Sequence, residues 1–172
     1  MDTGLLILRL LAGLLLGGHA TQKLFGWYGG AGLARTGALF EQWGHRPGPA
    51  MAALAGLCEL TGGTLLALGL LVPLAAAIVA GTMVVACVAL AGNGVWAAKG
   101  GFELPFVYAV VAVALAFTGA GRWSLDHALG LEPHGTGWGL AALGLAPVSS
   151  GAALARRRPV PAPVPDATGA PS

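Results

Sequence analysis

Five long runs of apolar residues limit what this chain can fold into more than any other feature. They occupy residues 4–20, 50–72, 74–91, 104–118 and 137–154. A helix needs roughly 17 to 25 mostly apolar residues to cross a hydrocarbon core about 30 Å thick, and these runs approach or reach that length. Only 9% of the residues are charged, whereas soluble domains carry about 25%. The sequence therefore predicts a multi-pass protein embedded in a lipid bilayer.

The spacing of the runs predicts an all-α fold with a four-helix membrane bundle over residues 1–130. Within this bundle, residues 21–49 form a polar interfacial loop that contains a short amphipathic segment. Only Pro73 separates the second and third runs, which predicts a tight antiparallel hairpin because proline is tolerated in the first turn of a helix. Residues 131–155 are predicted to hold a fifth transmembrane helix. Residues 156–172 are rich in Pro and Ala, which is typical of a disordered tail.

The basic residues favour one orientation of this bundle. With five spans, one side of the membrane carries Lys23, Arg35, Arg46, Lys99 and Arg156–Arg158, and the other side carries Arg122 alone. Because cytoplasmic loops are enriched in Lys and Arg, we expect the long loop and the C-terminal tail in the cytoplasm and the N-terminus outside. With four spans the three consecutive arginines change sides, and this preference almost vanishes.

Several classes of site are disfavoured by the sequence. The formal net charge of +2 comes from scattered residues rather than from a basic stripe, so nucleic-acid binding is not expected. Cys58 and Cys87 lack the C-x-x-C spacing of a redox pair, and the four histidines show no metal-binding spacing. The sequence accordingly predicts no metal site, and no bound cofactor is evident from it.

Two charged residues lie inside the apolar runs, where a charge that faces lipid is unfavourable by several kcal/mol. If the first two helices are antiparallel neighbours, Arg9 lies roughly 20 Å and Glu59 roughly 14 Å from the side that carries the long loop, and their side chains are long enough to meet. This predicts a buried Arg9–Glu59 ion pair. The alternative is that Arg9 snorkels to the nearer interface and leaves Glu59 as a protonatable functional carboxyl.

Further polar residues are predicted to converge at the end of the bundle that carries the long loop. His19 and Lys23 are four residues apart and share a helical face, and Glu103 starts the fourth run on the same side. The residues predicted to form a ligand-binding or functional polar cluster are His19, Gln22, Lys23, Trp27, Glu59, Asn93 and Glu103. In the competing interpretation, His19 and Lys23 only snorkel to the interface and the glycines after Trp27 only form a turn.

Three stretches of the sequence resemble the DoxX family of small bacterial membrane proteins. They are "GGHATQKLFGWYGGAGL" (residues 17–33), "CELTGGTLLALGL" (residues 58–70) and "GGFELPFVYAVVAVALAFTGAGRWSLD" (residues 100–126), and the resemblance covers residues 5–129. It implies a four-helix bundle in the bacterial cell membrane and a link to redox chemistry, through quinones or through thiol and oxidative-stress systems. The turn "LLVPLAA" lacks the basic residue that many family members carry there, so the orientation given by the basic residues conflicts with the family tendency.

Three classes of function remain open at this stage. The first is a redox-associated membrane subunit that docks partner proteins or a lipid-soluble ligand such as a quinone at the polar cluster. The second is a small-solute or proton transporter or channel that uses Glu59, and the third is a purely structural assembly factor. No catalytic residue is assigned, enzymatic activity is left undecided, and both redox partner proteins and an oligomer are compatible with the sequence.

Overall fold

The computed structural model describes residues 1–158, which form helices joined by turns and loops, without a β-strand among them. The α-helices are α1 (Asp2–Phe25), α2 (Gly32–Gln42), α3 (Gly48–Leu68), α4 (Val72–Leu90), α5 (Glu103–Thr118), α6 (Leu125–Ala128) and α7 (Thr136–Ala155). Of these, α1, α3, α7 and α4 with its following turn are long and apolar enough to cross a membrane, whereas α5 has 16 residues and is about 24 Å long. The prediction of an all-α membrane protein is confirmed, and α7 is the predicted fifth long helix.

The long helices alternate in direction, which gives the bundle two distinct ends. The loop end carries residues 26–47, 91–102 and 156–158, and the hairpin end carries the α3–α4 turn at residues 69–71 and the segment 119–135. Helix α3 packs against α1, α2 and α4, and helix α7 packs against α4 and α5. The largest fully buried aliphatic side chains between them are Leu16, Leu66, Val72, Val79 and Leu115.

Small residues bring the helix backbones close together. A Cβ at Gly63 of α3 would lie 2.8 Å from the carbonyl oxygen of Gly13 in α1, which is closer than carbon and oxygen atoms pack. Similarly, a Cβ at Gly81 of α4 would overlap the hydroxyl of Ser149 in α7. Because membrane helices associate largely through close van der Waals packing, these glycines seat α1 on α3 and α7 on α4.

The hairpin end is organised around the turn between α3 and α4. Gly69 ends α3 with a left-handed φ of 64°, and a Cβ at this position would collide with the guanidinium of Arg9. Arg9 is fully buried and donates hydrogen bonds to the carbonyls of Leu66 (3.4 Å), Ala67 (3.2 Å) and Trp123. Its positive charge thereby lies at the C-terminal end of α3, where the helix dipole is negative.

Asp126 complements Arg9 on the other side of the same turn. Its buried carboxylate accepts hydrogen bonds from the backbone N–H groups of Leu71 (2.8 Å) and Val72 (3.3 Å), at the start of α4. The backbone N–H of Asp126 donates in turn to the carbonyl of Gly69 (2.9 Å). A carboxylate at a helix N-terminus and a guanidinium at a helix C-terminus both oppose the local dipole, so the two side chains stabilise the hairpin together.

This arrangement corrects the predicted ion pair between Arg9 and Glu59. Arg9 contacts the hairpin end, whereas Glu59 forms its ion pair with Lys23. Arg9 and Lys23 are separated by 14 residues of α1, which is about 21 Å along the helix axis. The sequence places both charges inside the bilayer, but the backbone carbonyls of the hairpin end lie nearer to Arg9 than the carboxylate of Glu59 does.

Two further sequence-based boundaries change in the structure. Helix α1 continues five residues beyond the predicted end of the first run at residue 20, and the amphipathic segment of the loop is helix α2, which buries Thr36, Gly37 and Phe40. Of the predicted disordered tail, Arg157 and Arg158 are hydrogen-bonded to the turn after α2. Residues 159–172 lie outside the described residues.

Candidate functional site

A cavity of about 500 Å³ lies at the loop end, among helices α1, α2, α3, α4, α5 and α7. Its walls are mostly apolar and include the side chains of Leu16, Phe40, Trp43, Met51, Leu54, Ile78 and Leu104. Polar side chains are set into these walls, namely His19, Lys23, His45, Cys58, Glu59, Thr82, Tyr108, Ser149 and Ser150. The cavity is therefore an apolar chamber with a small number of hydrogen-bonding groups.

An ion pair between α1 and α3 is the most strongly charged feature of the cavity wall. Lys23 Nζ donates to both carboxylate oxygens of Glu59, at 2.8 Å to Oε1 and 2.6 Å to Oε2. The Glu59 side chain is 4% exposed and that of Lys23 is 27% exposed. A buried carboxylate requires a partner, and the mutual neutralisation of these two groups makes their position inside the bundle tolerable.

The sequence explains locally why these two side chains meet. Gly56 lies one turn before Glu59, and a Cβ there would come within 2.8 Å of the side chain of Leu24. The absence of a side chain at Gly56 lets the last turns of α1 pack against α3, which places Lys23 beside Glu59. The predicted cluster residues Lys23 and Glu59 are thus brought together by small residues in α3.

His19 and Tyr108 form a second polar group in the wall. The two rings meet edge to face, with centroids 5.9 Å apart and an interplanar angle of 81°. His19 Nδ1 lies 3.2 Å from Oε1 of Gln22, and the amide nitrogen of Gln22 lies 3.5 Å from the carbonyl oxygen of Tyr28. Gln22 is not among the residues that line the cavity, but its hydrogen bond orients the imidazole of His19, which does line it.

His45 contributes a third group, from the turn between α2 and α3. The residue is 4% exposed and lines the cavity, and its Nε2 has no hydrogen-bond partner within residues 1–158. Burial lowers the pKa of His45 below its ordinary value, and the positive charge of Arg157 lowers this pKa further. The ring is accordingly held neutral near pH 7.

The remaining predicted site residues lie outside the cavity. Trp27 is 56% exposed and its ring stacks at a tilt on that of Phe25, 5.2 Å away between centroids. Asn93 Nδ2 donates to the carbonyl of Gly100 (3.0 Å), and Glu103 Oε2 accepts from the backbone N–H of Ala97 (2.9 Å). Asn93 and Glu103 therefore brace the loop of residues 91–102, which supplies backbone and small side chains to the cavity wall.

Several cavity residues were missed by reasoning from the sequence. Tyr108 follows Glu103 on α5 and Cys58 precedes Glu59 on α3, so a search of the turns around the predicted residues would have found both. His45 gave no such signal, because its place depends on the path of an irregular loop. Ser149 reaches the cavity from α7, which the predicted four-helix bundle did not include.

The donor groups of the described residues determine which chemistry fits here. Residues 1–158 contain no cluster of three or more His, Cys, Asp or Glu side chains that could hold a metal ion. The groups in the wall are instead an ion pair, two imidazoles, a phenol and hydroxyls, which donate and accept single hydrogen bonds and carry protons. Such groups suit a mostly apolar organic molecule that carries a few oxygen atoms.

A family model described as DoxX matches residues 4–92, which is more than half of the 172-residue chain. The chain belongs to the DoxX family. No curated protein and no solved structure matches the chain. The DoxX match covers α1 to α4 and includes the cavity residues His19, Lys23, His45 and Glu59, whereas α5 and α7 lie beyond it. Residues 100–126, the third stretch that resembles DoxX proteins, also lie beyond the match, so that part of the resemblance stays a prediction.

Proposed function

We propose that this DoxX protein is a redox-associated membrane subunit that binds a lipid-soluble ligand of the quinone class in the cavity at the loop end. The cavity itself is the observation that carries this proposal. Its volume of about 500 Å³ lies within the range of roughly 300 to 1,000 Å³ that is typical of small-molecule sites. An apolar wall with few convergent polar groups is also the usual composition of such a site.

The chemistry of a quinone matches the groups in the wall. A quinone ring and its isoprenoid tail are apolar, and the two ring carbonyls accept hydrogen bonds. The aromatic rings of Phe40 and Trp43 offer apolar contact to the ring system, and the Tyr108 hydroxyl and the imidazoles offer hydrogen bonds to its oxygens. A molecule of this kind reaches the site from the bilayer, because it dissolves in the hydrocarbon that surrounds the helices.

Proton transfer is the part of quinone chemistry that this chain is equipped to assist. Reduction of a quinone to a quinol takes up two electrons and two protons. Lys23 and Glu59 together can pass a proton to an adjacent oxygen, since each carries a group that exchanges protons with a neighbour at hydrogen-bond distance. The electrons come from a separate redox partner protein, which docks on the loop end in this proposal.

The distribution of charge supports a cytoplasmic position for the loop end in a bacterial cell membrane. Seven of the nine basic residues lie at this end, and Arg122 lies at the opposite end while Arg9 is buried. The positive-inside tendency places such an end in the cytoplasm. A reductant in the cytoplasm then reaches the same end of the protein as the cavity.

A transport path is less well supported by the position of the cavity. Its deepest lining residues are Leu16 and Ile78, and the tightly packed Leu66 and Val72 fill the bundle between the cavity and the hairpin end. Arg9 and its hydrogen bonds lie in that packed region. A closed hairpin end fits a binding chamber better than a channel that crosses the membrane.

Ligand titration of the full-length protein tests the proposal. The protein in lipid nanodiscs is titrated with a short-chain benzoquinone, and binding is followed by quenching of tryptophan fluorescence. We expect saturable binding to the wild type and about tenfold weaker binding to Glu59→Gln, because one hydrogen-bonding partner near the ligand is altered. Leu57→Ala, which changes an exposed residue of α3 two positions before Glu59, serves as the matched control and should bind like the wild type. Absence of saturable binding to the wild type overturns the proposal.

A further inference from the structure

His45 is a buried polar residue whose side chain is not satisfied by the protein. Its Nε2 has no hydrogen-bond partner within residues 1–158, although the residue is only 4% exposed. Leaving such a nitrogen without a partner destabilises a folded protein, and nearly all buried polar groups are paired. His45 is also one of the residues that line the cavity at the loop end, so it borders the space that a ligand would occupy.

The surroundings of His45 hold the ring in place. Its backbone N–H donates to the carbonyl of Phe40 (2.9 Å), and its ring lies against the Phe40 ring with centroids 5.9 Å apart. The turn is also tied to the end of α7, since Arg157 Nε donates to the carbonyl of Trp43 (2.5 Å) and the Arg158 N–H donates to that of Gly44 (2.8 Å). A side chain fixed in this way binds a ligand with little loss of conformational entropy.

The other charged and titratable groups around the cavity are already engaged or lie elsewhere in its wall. They are His19, Lys23, Cys58, Glu59 and Tyr108, with Arg157 beside the turn. Lys23 and Glu59 bond to each other, and His19 bonds to Gln22. Along α3, Glu59 lies eleven residues beyond the first residue of the helix, or about 16 Å from the end near His45. His45 therefore lies nearer to the loop end of the cavity than the Lys23–Glu59 ion pair does.

We infer that His45 is a ligand-binding residue of this cavity, whose Nε2 forms a hydrogen bond to a carbonyl or hydroxyl oxygen of the bound molecule. The inference rests on the proposed function, and it specifies which part of the wall recognises the polar atom of the ligand. A neutral imidazole supplies one such bond as donor or as acceptor, according to its tautomer. A purely hydrocarbon ligand would leave the nitrogen unsatisfied and would gain nothing from His45.

Paired ligands and paired variants test this inference. A short-chain benzoquinone and the aromatic hydrocarbon of the same shape without oxygens are titrated into wild type, His45→Phe and His45→Gln in nanodiscs. We expect His45→Phe to weaken quinone binding about tenfold and to leave hydrocarbon binding unchanged, while His45→Gln keeps most of the quinone affinity. Without ligand, His45→Phe should melt at or above the temperature of the wild type, because it removes a buried nitrogen that lacks a partner.

The outcomes separate this inference from the proposed function. If the wild type binds the quinone and His45→Phe binds it equally well, the inference is overturned and the proposed function stands. If the wild type binds no quinone, both fail. Nitrogen NMR of histidine-labelled wild-type protein gives a readout that does not depend on the folding of a variant. The His45 Nε2 resonance should shift on addition of the quinone, and an unchanged resonance at saturation overturns the inference.

Discussion

Lys23 Nζ lies 2.6 Å from Oε2 of Glu59 and joins the last turns of α1 to the middle of α3. This contact replaces the predicted partnership of Glu59 with Arg9 and divides the intramembrane charges into two groups at opposite ends of the bundle. Arg9 and Asp126 hold the α3–α4 turn at the hairpin end, while Lys23 and Glu59 lie in the cavity wall at the loop end. One group therefore stabilises the hairpin, and the other lies in the wall of the candidate site.

The Lys23–Glu59 pair should show energetic coupling. Removing either partner by Lys23→Met or Glu59→Gln leaves a polar group without its counterpart, and we expect each to lower the free energy of unfolding by about 1 to 3 kcal/mol. The double variant should regain part of this loss, because no unpaired charge remains. Denaturant titration of the wild type, the two single variants and the double variant in detergent completes this double-mutant cycle. Strictly additive losses of stability would contradict a direct interaction.

Arg9 should be needed for folding rather than for ligand binding. Arg9→Gln and Arg9→Lys should each lower the free energy of unfolding by about 3 kcal/mol, because neither side chain reproduces the planar fork that serves several carbonyls at once. Arg122→Gln, an exposed change at the same end, is the control and should change stability little. Thermal melts in detergent, followed by quinone titration of the folded fraction, check both halves of this prediction. Weaker binding by correctly folded Arg9→Lys would assign Arg9 to the site.

The close approach of α1 and α3 should depend on Gly63. In Gly63→Ala the new methyl group overlaps the backbone of Gly13 and the side chain of Leu16, so the helices must separate, at a cost of about 1 to 3 kcal/mol. Gly18→Ala adds a methyl group where no atom lies within 4 Å, and its higher helix propensity should leave stability equal or raise it by up to about 1 kcal/mol. Melting temperatures of the two variants make the comparison. Equal melting temperatures would show that the close approach of α1 and α3 at Gly63 does not contribute to stability.

The stability of the protein should fall on mild acidification because of His45. Its pKa in the folded protein is lowered by burial and by Arg157, while in the unfolded chain it is about 6.5. Above that pH both states are neutral, and below it the unfolded chain takes up a proton that the folded protein resists, so the free energy of unfolding decreases. Between about pH 7.5 and about pH 5.5 the wild type should lose more stability than His45→Gln. If the free energies of unfolding of the wild type and of His45→Gln decrease equally over this pH range, His45 is not the cause of the acid sensitivity.

Cysteine labelling should establish the orientation of the bundle. In a Cys58→Ala, Cys87→Ala background, Ala31→Cys places a thiol at the loop end and Leu131→Cys places one at the hairpin end, both on exposed positions. We expect a membrane-impermeant maleimide to label Leu131→Cys in intact cells and Ala31→Cys only after permeabilisation, since the basic loop end belongs in the cytoplasm. The reverse pattern would place the cavity on the outside.

Much of the fold could be predicted from the sequence because apolar length is a direct physical requirement of the bilayer. The runs at residues 50–72 and 74–91 correspond to α3 and α4, but α3 ends at Leu68, four residues before the end of its run. The turn occupies residues 69–71, and Pro73 lies in the first turn of α4. The first run, which ends at residue 20, stops five residues short of the end of α1, since Thr21, Gln22 and Lys23 are polar yet helical. A hydropathy average counts every polar residue as unfavourable in lipid. A polar residue that is hydrogen-bonded or ion-paired inside the bundle does not carry that full free-energy cost.

The candidate site was predictable only in part. His19, Lys23 and Glu59 share the loop end because each lies near the same end of an antiparallel pair, and this follows from topology alone. The choice between Arg9 and Lys23 as the partner of Glu59 depends on the packing of glycines such as Gly56 and on backbone carbonyls that no pattern displays. The contribution of His45 depends on the path of residues 43–47, for which the sequence provides no periodicity.

The hydrogen bonds from Arg157 and Arg158 to the turn after α2 attach the end of helix α7 to the loop end of the bundle. The Lys23–Glu59 pair belongs to the part of the chain that matches DoxX, while Ser149, Ser150 and Ala153, which also line the cavity, come from outside that match. Substitutions on this face of α7 would therefore change the shape of the cavity while leaving the Lys23–Glu59 pair untouched. The last helix thus forms a side of the cavity whose residues can be altered independently of the segment that matches DoxX.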